Sequence, residues 1–285
     1  MLEGIILAAG YGTRLLPITK LIPKPIVPLC DRALILYVME RMHKYGIKKF
    51  FVNVHYKKDM VIKTIKRSLF KDITEFQIED KILLTGGGLC GLLSMTYGEN
   101  ALVHNVDIVE EFDYDRLWVV HEEEKNDITW VLTKQRGNVL VDDKNIIGFG
   151  KDGLTFTGVG IYRKNVVYLM PEGRFSLIPW VLNMINEKKI KIGYVVENHF
   201  WVDAGTPDGL FRACVNMLDK EGKNIVINGR VEGDIGFYGH VYIGEDVKIK
   251  GSGIVKDAII LGKSSLNGNI DIKRRIIYDD LCLAF

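Results

Sequence analysis

Cysteine is scarce in this chain. Cys30, Cys90, Cys214 and Cys282 are spread across 285 residues without CxxC spacing, which argues against a disulfide frame or a thiolate zinc site and suits reduced thiols in the cytosol. Long hydrophobic runs are absent too: no apolar stretch approaches 18 residues, the length that would suggest a membrane helix. The start of the chain has no basic segment ahead of a long apolar one, so a secretory leader is not expected. A cytoplasmic protein with no membrane partner follows as the expectation. An excess of one charge is also missing. Lys and Arg number 38 against 36 Asp and Glu, a net charge of +2, so nothing drives the whole chain toward nucleic acid. The densest basic run, Lys57 to Lys71, interleaves Met60, Val61, Thr64, Ile65 and Leu69 at helical spacing and reads as a solvated helix face.

What is present is an ordinary globular composition, 47% hydrophobic and 26% charged, enough for a sizeable core in one large domain or a main domain with a smaller one. The stretch that organises the chain is Gly4 to Pro25. Ile5, Ile6 and Leu7 form a short apolar run, and a loop follows with Gly10, Gly12, Thr13 and Arg14, then Lys24 between two prolines. A buried strand delivering a flexible loop can close backbone N–H groups around phosphates, with two cations at hand to neutralise them.

Downstream, Asp31 is a plausible N-cap for a helix through about Tyr45, ended by Gly46. Lys48 to His55 is a continuous apolar strand, Lys58 to Phe70 a helix, and Glu75 to Ile78 a short strand. That rhythm implies right-handed crossovers and a largely parallel sheet, with ligands off the carboxyl ends of its strands. The triplet Gly86-Gly87-Gly88 reads as a turn allowing close approach of a nucleobase or ribose. Ala101 to Val106 is a strand ending at Asp107, and the acidic residues from Glu110 to Asp127 read mostly as solvated charges on a helix. Ile128 to Thr133, Asn138 to Val141 and Ile146 to Phe149 read as successive strands with turns between them. Thr155 to Tyr162 is a strand in which Gly158 and Gly160 mark a bulge or a close ligand. Phe175 to Glu187 is a helix and Ile190 to Glu197 a strand. Asp203 then precedes a Gly-Thr-Pro turn into a helix from Asp208 to Leu218. Two carboxylates at strand ends, Asp107 and Asp203, suit one Mg²⁺ held together with phosphates. From Asn224 the texture changes to Val/Ile pairs separated by Gly, Asn and Asp about every six residues. A few turns of parallel β-helix explain this, with an antiparallel meander as the alternative. Such a tail buries little by itself and should pack on the first domain or on another subunit.

These residues carry a resemblance. Leu7-Ala8-Ala9-Gly10-x-Gly12-Thr13-Arg14-Leu15 followed by Pro23-Lys24-Pro25, then the glycine triplet, Asn105-x-Asp107 and Trp201-Val202-Asp203-Ala204-Gly205-Thr206, resemble the signature of the sugar-1-phosphate nucleotidyltransferases. The resemblance covers about residues 1 to 220. It implies an α/β fold, a doubly wound, mostly parallel, Rossmann-like sheet over residues 1–222, with a small left-handed β-helix-like domain over 223–285. It also implies transfer of a nucleotidyl group from a nucleoside triphosphate to a sugar 1-phosphate, with Mg²⁺ as cofactor. The implied catalytic residues are Arg14, Lys24 and Asp107, and the implied metal ligands Asp107 and Asp203. Leu7, Ala8, Ala9, Gly10, Gly12, Thr13, Gly86, Gly87, Asn105 and Gly158 would bind substrate, Gly158 on the sugar side. The expected partners are these two substrates and a second copy of the chain through the C-terminal domain.

The chain departs from the family at Val106, where glycine is usual and a branched side chain threatens to crowd base or sugar. It also lacks a recognisable glutamate-lysine-proline segment, which argues against the glucose-1-phosphate thymidylyl- and uridylyltransferases, while the glycine triplet and the Trp201 strand look closer to the N-acetylmuramate, mannose and heptose 1-phosphate branches. Two other readings stand beside the leading one: a cytidylyltransferase acting on an alcohol phosphate such as phosphocholine, and a non-catalytic subunit binding nucleotide sugar. Retention of Arg14, Lys24, Asp107 and Asp203 speaks against the second.

Overall fold

The structure is a computed structural model describing residues 2–279 and 281–285; Met1 and Asp280, which fall in the two expected domains, lie outside the described residues. The chain divides into two compact units. One comprises the chain up to Gly10 together with Val38–Trp201, and the other Tyr11–Tyr37 together with Val202–Phe285. The second unit therefore takes in the phosphate-loop candidate and the segment after Trp201, as well as residues 223–285.

The first unit is built on seven strands: β1 (Leu2–Leu7), β2 (Phe50–Val54), β3 (Thr74–Ile78), β4 (Asn100–Asn105), β5 (Ile128–Val141), β6 (Ile146–Arg163) and β7 (Ile192–Glu197). They form one sheet in the order β7-β5-β6-β4-β1-β2-β3. All pairings are parallel except those of β6, which runs antiparallel to β4 and β5. The doubly wound, mostly parallel expectation holds. Burial explains it: β2 is buried at every position, as a strand covered on both faces must be. The connecting helices include α2 (Lys58–Lys66), α3 (Leu84–Met95), α4 (Tyr114–Glu123) and α5 (Leu177–Asn186). A core of Ile5, Phe51, Val103, Trp130 and Leu132 is packed with Leu89, Leu92 and Val181 from α3 and α5.

The chain leaves β1 for β2 on one side and returns to β4 on the other, so Leu7 stands in register with both Asn53 and Asn105. This is the switch point at which an open α/β sheet forms its ligand crevice. Two local expectations change. The three short strands expected between Ile128 and Phe149 are parts of two long strands, 14 and 18 residues, with irregular register near Gly137 and Val139. Asp31 caps no helix; it lies in the turn between the paired segments Pro28–Leu29 and Arg32–Ala33, and α1 (Leu34–Lys44) begins directly after them.

In the second unit, β8 (Ile225–Ile227), β9 (Arg230–Ile243), β10 (Lys248–Leu261) and β11 (Ser265–Tyr278) pair in parallel, and only β12 (Leu281–Ala284) returns antiparallel. Arg230 stands beside Lys248 and Lys248 beside Ser265, so each coil holds about three of the hexads seen in the sequence. The parallel β-helix-like tail is borne out over the meander. Its core is a column of Val241, Ile243, Val255, Ile260 and Ile277. Helix α6 (Pro207–Lys220) is opened by Thr206, whose Oγ1 accepts from the Gly209 N–H at 3.1 Å. All four cysteines are free, and Cys30 Sγ lies 3.9 Å from the Cys214 carbonyl. Among the described residues, no helix is long and apolar enough to cross a membrane.

Candidate active site

At the end of β1 the backbone is pinned. The Ala8 N–H donates to Asn53 Oδ1 at 2.7 Å, Asn53 Nδ2 donates to Glu79 Oε1 at 2.7 Å, and Glu79 Oε2 accepts from the Leu83 N–H at 2.8 Å. Asn53 and Glu79 are both buried, and a buried network of this kind rigidifies what it holds when its members are satisfied. The sequence reading missed both residues. One signal was available: Asn53 is the single polar residue in an otherwise apolar strand, FFVNV.

The glycine triplet is not a turn. It lies inside α3, and the Gly86 and Gly87 N–H groups both donate to the Phe175 carbonyl, at 3.1 and 3.2 Å. A Cβ on Gly86 would strike the Phe175 ring, one on Gly87 the Gly173 carbonyl, and one on Gly88 would sit 2.5 Å from Asn53 Nδ2. The close approach foreseen for a base is made here by the chain itself. Ala8 and Ala9 are buried, and Gly10 is partly exposed. Three of the expected substrate residues do come together: Leu7, Asn105 and Gly158 line one cavity of about 150 Å³. Gly158 has φ of +86°, and a Cβ there would lie 2.6 Å from Asn105 Nδ2, so only glycine suits the position.

In the second unit, Gly12 adopts a left-handed conformation, φ 68° and ψ 32°, and caps a 3₁₀ turn at Thr13–Leu15. Thr19 Oγ1 donates to the Gly12 carbonyl at 3.0 Å. A Cβ on Gly12 would lie 2.8 Å from Lys24 Cβ, so the glycine loop and the second cation form one folded piece. Thr13 is exposed at its head. Arg14, half exposed, meets Asp203 in a two-pronged pair of 2.6 and 3.3 Å, and Asp203 Oδ1 also accepts from the Gly205 N–H at 2.8 Å. The guanidinium fork and the carboxylate thus answer each other.

This loop geometry coincides with a family match: residues 3–139 fit the model of the nucleotidyl transferases. They form a nucleotidyl transferase domain. The mannose-1-phosphate guanyltransferase of Eremothecium gossypii is 28% identical over 255 residues, covering 80% of this chain and 70% of that one. The D-glycero-alpha-D-manno-heptose 1-phosphate guanylyltransferase of Campylobacter jejuni is 27% identical over 228 residues, covering 75% of this chain and 100% of its own. Among solved structures, HddC from Yersinia pseudotuberculosis complexed with GMP-PN superimposes with a TM-score of 0.66 at 23% identity, over 76% of this chain and 100% of that one; that likeness concerns the fold.

In the transferase domain, Asp107 occupies the turn after β4 and is 7% exposed. Val106 before it is wholly buried, with its N–H donating to the Leu7 carbonyl at 3.2 Å. Glu110 corrects the expectation of a solvated acidic segment: it is 0% exposed. It accepts from Tyr114 Oη at 2.6 Å, from Arg41 Nε and Nη2 at 3.3 Å, and from the Phe112 N–H, with His104 Nε2 3.7 Å away. Burial alone would raise its pKa, but His104, Arg41 and Tyr114 outweigh it and hold the carboxyl at about 2. The segment after Asp107 is thereby anchored on a buried anion, a role that a local sequence window does not reveal.

Proposed function

We propose that this protein transfers a nucleotidyl group from a nucleoside triphosphate to a sugar 1-phosphate in the presence of Mg²⁺. The observation that carries the reading is the folded loop of the second unit, in which Gly12 is seated on Lys24 and Arg14 is paired with Asp203. Guanosine triphosphate is the first donor to try, because the relatives from E. gossypii and C. jejuni are named guanylyltransferases.

An oxygen of the sugar 1-phosphate forms a bond to the α-phosphorus. The bond from that phosphorus to the bridging oxygen breaks, and pyrophosphate leaves with the electron pair. The attacking phosphate is already ionised near neutrality, so no general base is required. Loop N–H groups around Gly12 and Thr13 orient the triphosphate, Arg14 offsets charge on the departing pyrophosphate, and Lys24 offsets charge at the α-phosphate. Before substrate binds, Arg14 and Asp203 neutralise each other; phosphate oxygens replace the carboxylate at Arg14 and release Asp203. Mg²⁺ takes one or two carboxylates plus substrate oxygens and water, and the carboxylates we propose as candidate ligands are Asp107 and Asp203, each to be tested by its own substitution. Among the described residues no three metal-binding side chains gather, so the rest of the shell falls to phosphates and water. The bound ion supplies charge neutralisation at the reacting phosphates.

The test is to incubate the protein with Mg²⁺, inorganic pyrophosphatase and each triphosphate against a panel of sugar 1-phosphates and phosphocholine, following released phosphate. Turnover with a sugar 1-phosphate is expected, as is its loss in Asp107→Ala with the unfolding transition unchanged. Failure of every pair would sink the proposal, and turnover of phosphocholine alone would replace it with the cytidylyltransferase reading.

A further inference from the structure

Two of the four cysteines meet inside the second unit. Pro28 pairs with Ala33 and Leu29 with Arg32, so Cys30 and Asp31 make up the whole of a two-residue turn. Cys30 takes a φ of +54° there, a left-handed conformation that Asn, Asp or Gly adopts readily and cysteine only with strain. The turn itself therefore gives no reason for a cysteine. The reason lies on α6, whose Cys214 reaches the same spot. Cys30 Sγ is 3.9 Å from the Cys214 carbonyl oxygen, and the two residues are 4% and 0% exposed. A hydrogen bond with the Cys214 side chain, followed by burial, pushes the Cys30 thiol well above the ordinary thiol range. Tyr242, pushed up to about 12 mainly by burial, is raised further by Asp31, Cys30 and Cys214, which marks the four as one cluster. Cys30 is shielded without being sealed. It lines a cavity of about 770 Å³ together with Asp31, Asn228, Tyr242 and Tyr278, space of the size that admits a small molecule.

We propose that Cys30 and Cys214 form a reversible disulfide, a redox modification site that ties the turn to α6 by exchange with a small disulfide such as oxidised glutathione. The Cys30 thiolate attacks one sulfur of the oxidant, forming a mixed disulfide and expelling one glutathione thiolate. The Cys214 thiolate then attacks the Cys30 sulfur of that mixed disulfide and expels the second. The protein gives up two protons and two electrons, and one glutathione disulfide becomes two glutathione thiols. Because the thiolate is the attacking species, the first step is slow near neutrality, and the pair responds to sustained oxidation in preference to brief exposure. The site stands independently of the proposed transfer reaction.

The experiment uses Cys90→Ser/Cys282→Ser, which leaves only this pair of thiols. The protein is incubated with excess oxidised glutathione in mildly alkaline buffer, its thiols are titrated in denaturant, and its peptides are mapped by mass. Both thiols should disappear, the peptides bearing Cys30 and Cys214 should appear joined, and dithiothreitol should restore them. A link between residues so far apart in sequence constrains the unfolded chain, so the oxidised protein should unfold roughly 5 °C or more above the reduced one. Adding Cys214→Ser should remove both the link and the shift, and Cys30→Ser serves the same purpose should that variant fail to fold. Two thiols still free after incubation overturn the proposal, as does glutathione retained on Cys30 beside a free Cys214. A link that forms without raising the unfolding temperature also overturns it, because such a bond does not fit the native fold. Mapping of the wild type decides the matter should the double substitution fail to fold.

Discussion

Two glycine-bearing stretches of this chain look alike on paper and do opposite work. Gly10 to Gly12 belongs to a loop in which Gly12 takes a φ of +68° and lies against Lys24. Gly86 to Gly88 lies within α3, at helical dihedrals, and its missing side chains make room for Phe175, the Gly173 carbonyl and Asn53. The first stretch uses glycine for a backbone conformation that other residues adopt with strain. The second uses it to let other parts of the protein approach a helix. Local composition does not distinguish them, because the difference lies in what arrives from elsewhere in the chain.

Substitution separates the two uses. The largest effect is expected from Gly12→Ala, which forces a Cβ against Lys24 and strains the left-handed turn. Because small displacements of positioning groups cost about 100-fold, kcat/KM for nucleotidyl transfer should fall by roughly two orders of magnitude or more, with roughly 2–4 kcal/mol lost in denaturant unfolding from left-handed strain and overpacking together. A fall in stability without a fall in turnover would break the comparison. Gly88→Ala comes next. Its Cβ would press on Asn53 and Glu79, which hold the Ala8 N–H, and overpacking of this kind costs roughly 1–3 kcal/mol. Chemical denaturation should register that loss, and turnover per folded molecule should change less than for Gly12→Ala. The smallest effect is expected at Gly46, where φ is +110° but nothing lies within 4 Å of an added Cβ. Gly46→Ala isolates the dihedral cost alone, on the order of 1–2 kcal/mol, with turnover untouched.

The same distinction shows what was legible in the sequence. The β2 strand was readable because FFVNV is buried on both faces and its pattern is local. The β-helix-like tail was readable because its hexads repeat, and repetition survives without knowledge of any partner. The turn expected between Thr133 and Asn138 was not, because Gly137 lies within β5 where the Leu154 carbonyl closes on it from β6. Glu110 looked like one more acid in an acidic segment, and its burial depends on Arg41, 69 positions earlier. Of the candidate site, Leu7, Asn105 and Gly158, read from separate motifs, line one cavity, and Gly12 lies against Lys24. The Asn53–Glu79 support came only with the fold, since it is assembled from segments remote in sequence.

Arg14 and Asp203 hold each other in a two-pronged pair, and under the proposed function a triphosphate takes over the guanidinium. Triphosphate binding to wild type, Arg14→Ala and Asp203→Asn, measured by calorimetry without divalent metal and set beside turnover with it, tests this most directly. An exposed ion pair is worth about 0.2–1 kcal/mol. Asp203→Asn should therefore bind triphosphate up to about fivefold more tightly than wild type without metal, while turnover with metal falls by about 100-fold or more and Arg14→Ala binds more weakly. Weaker metal-free binding by Asp203→Asn, or turnover equal to wild type, would contradict the account.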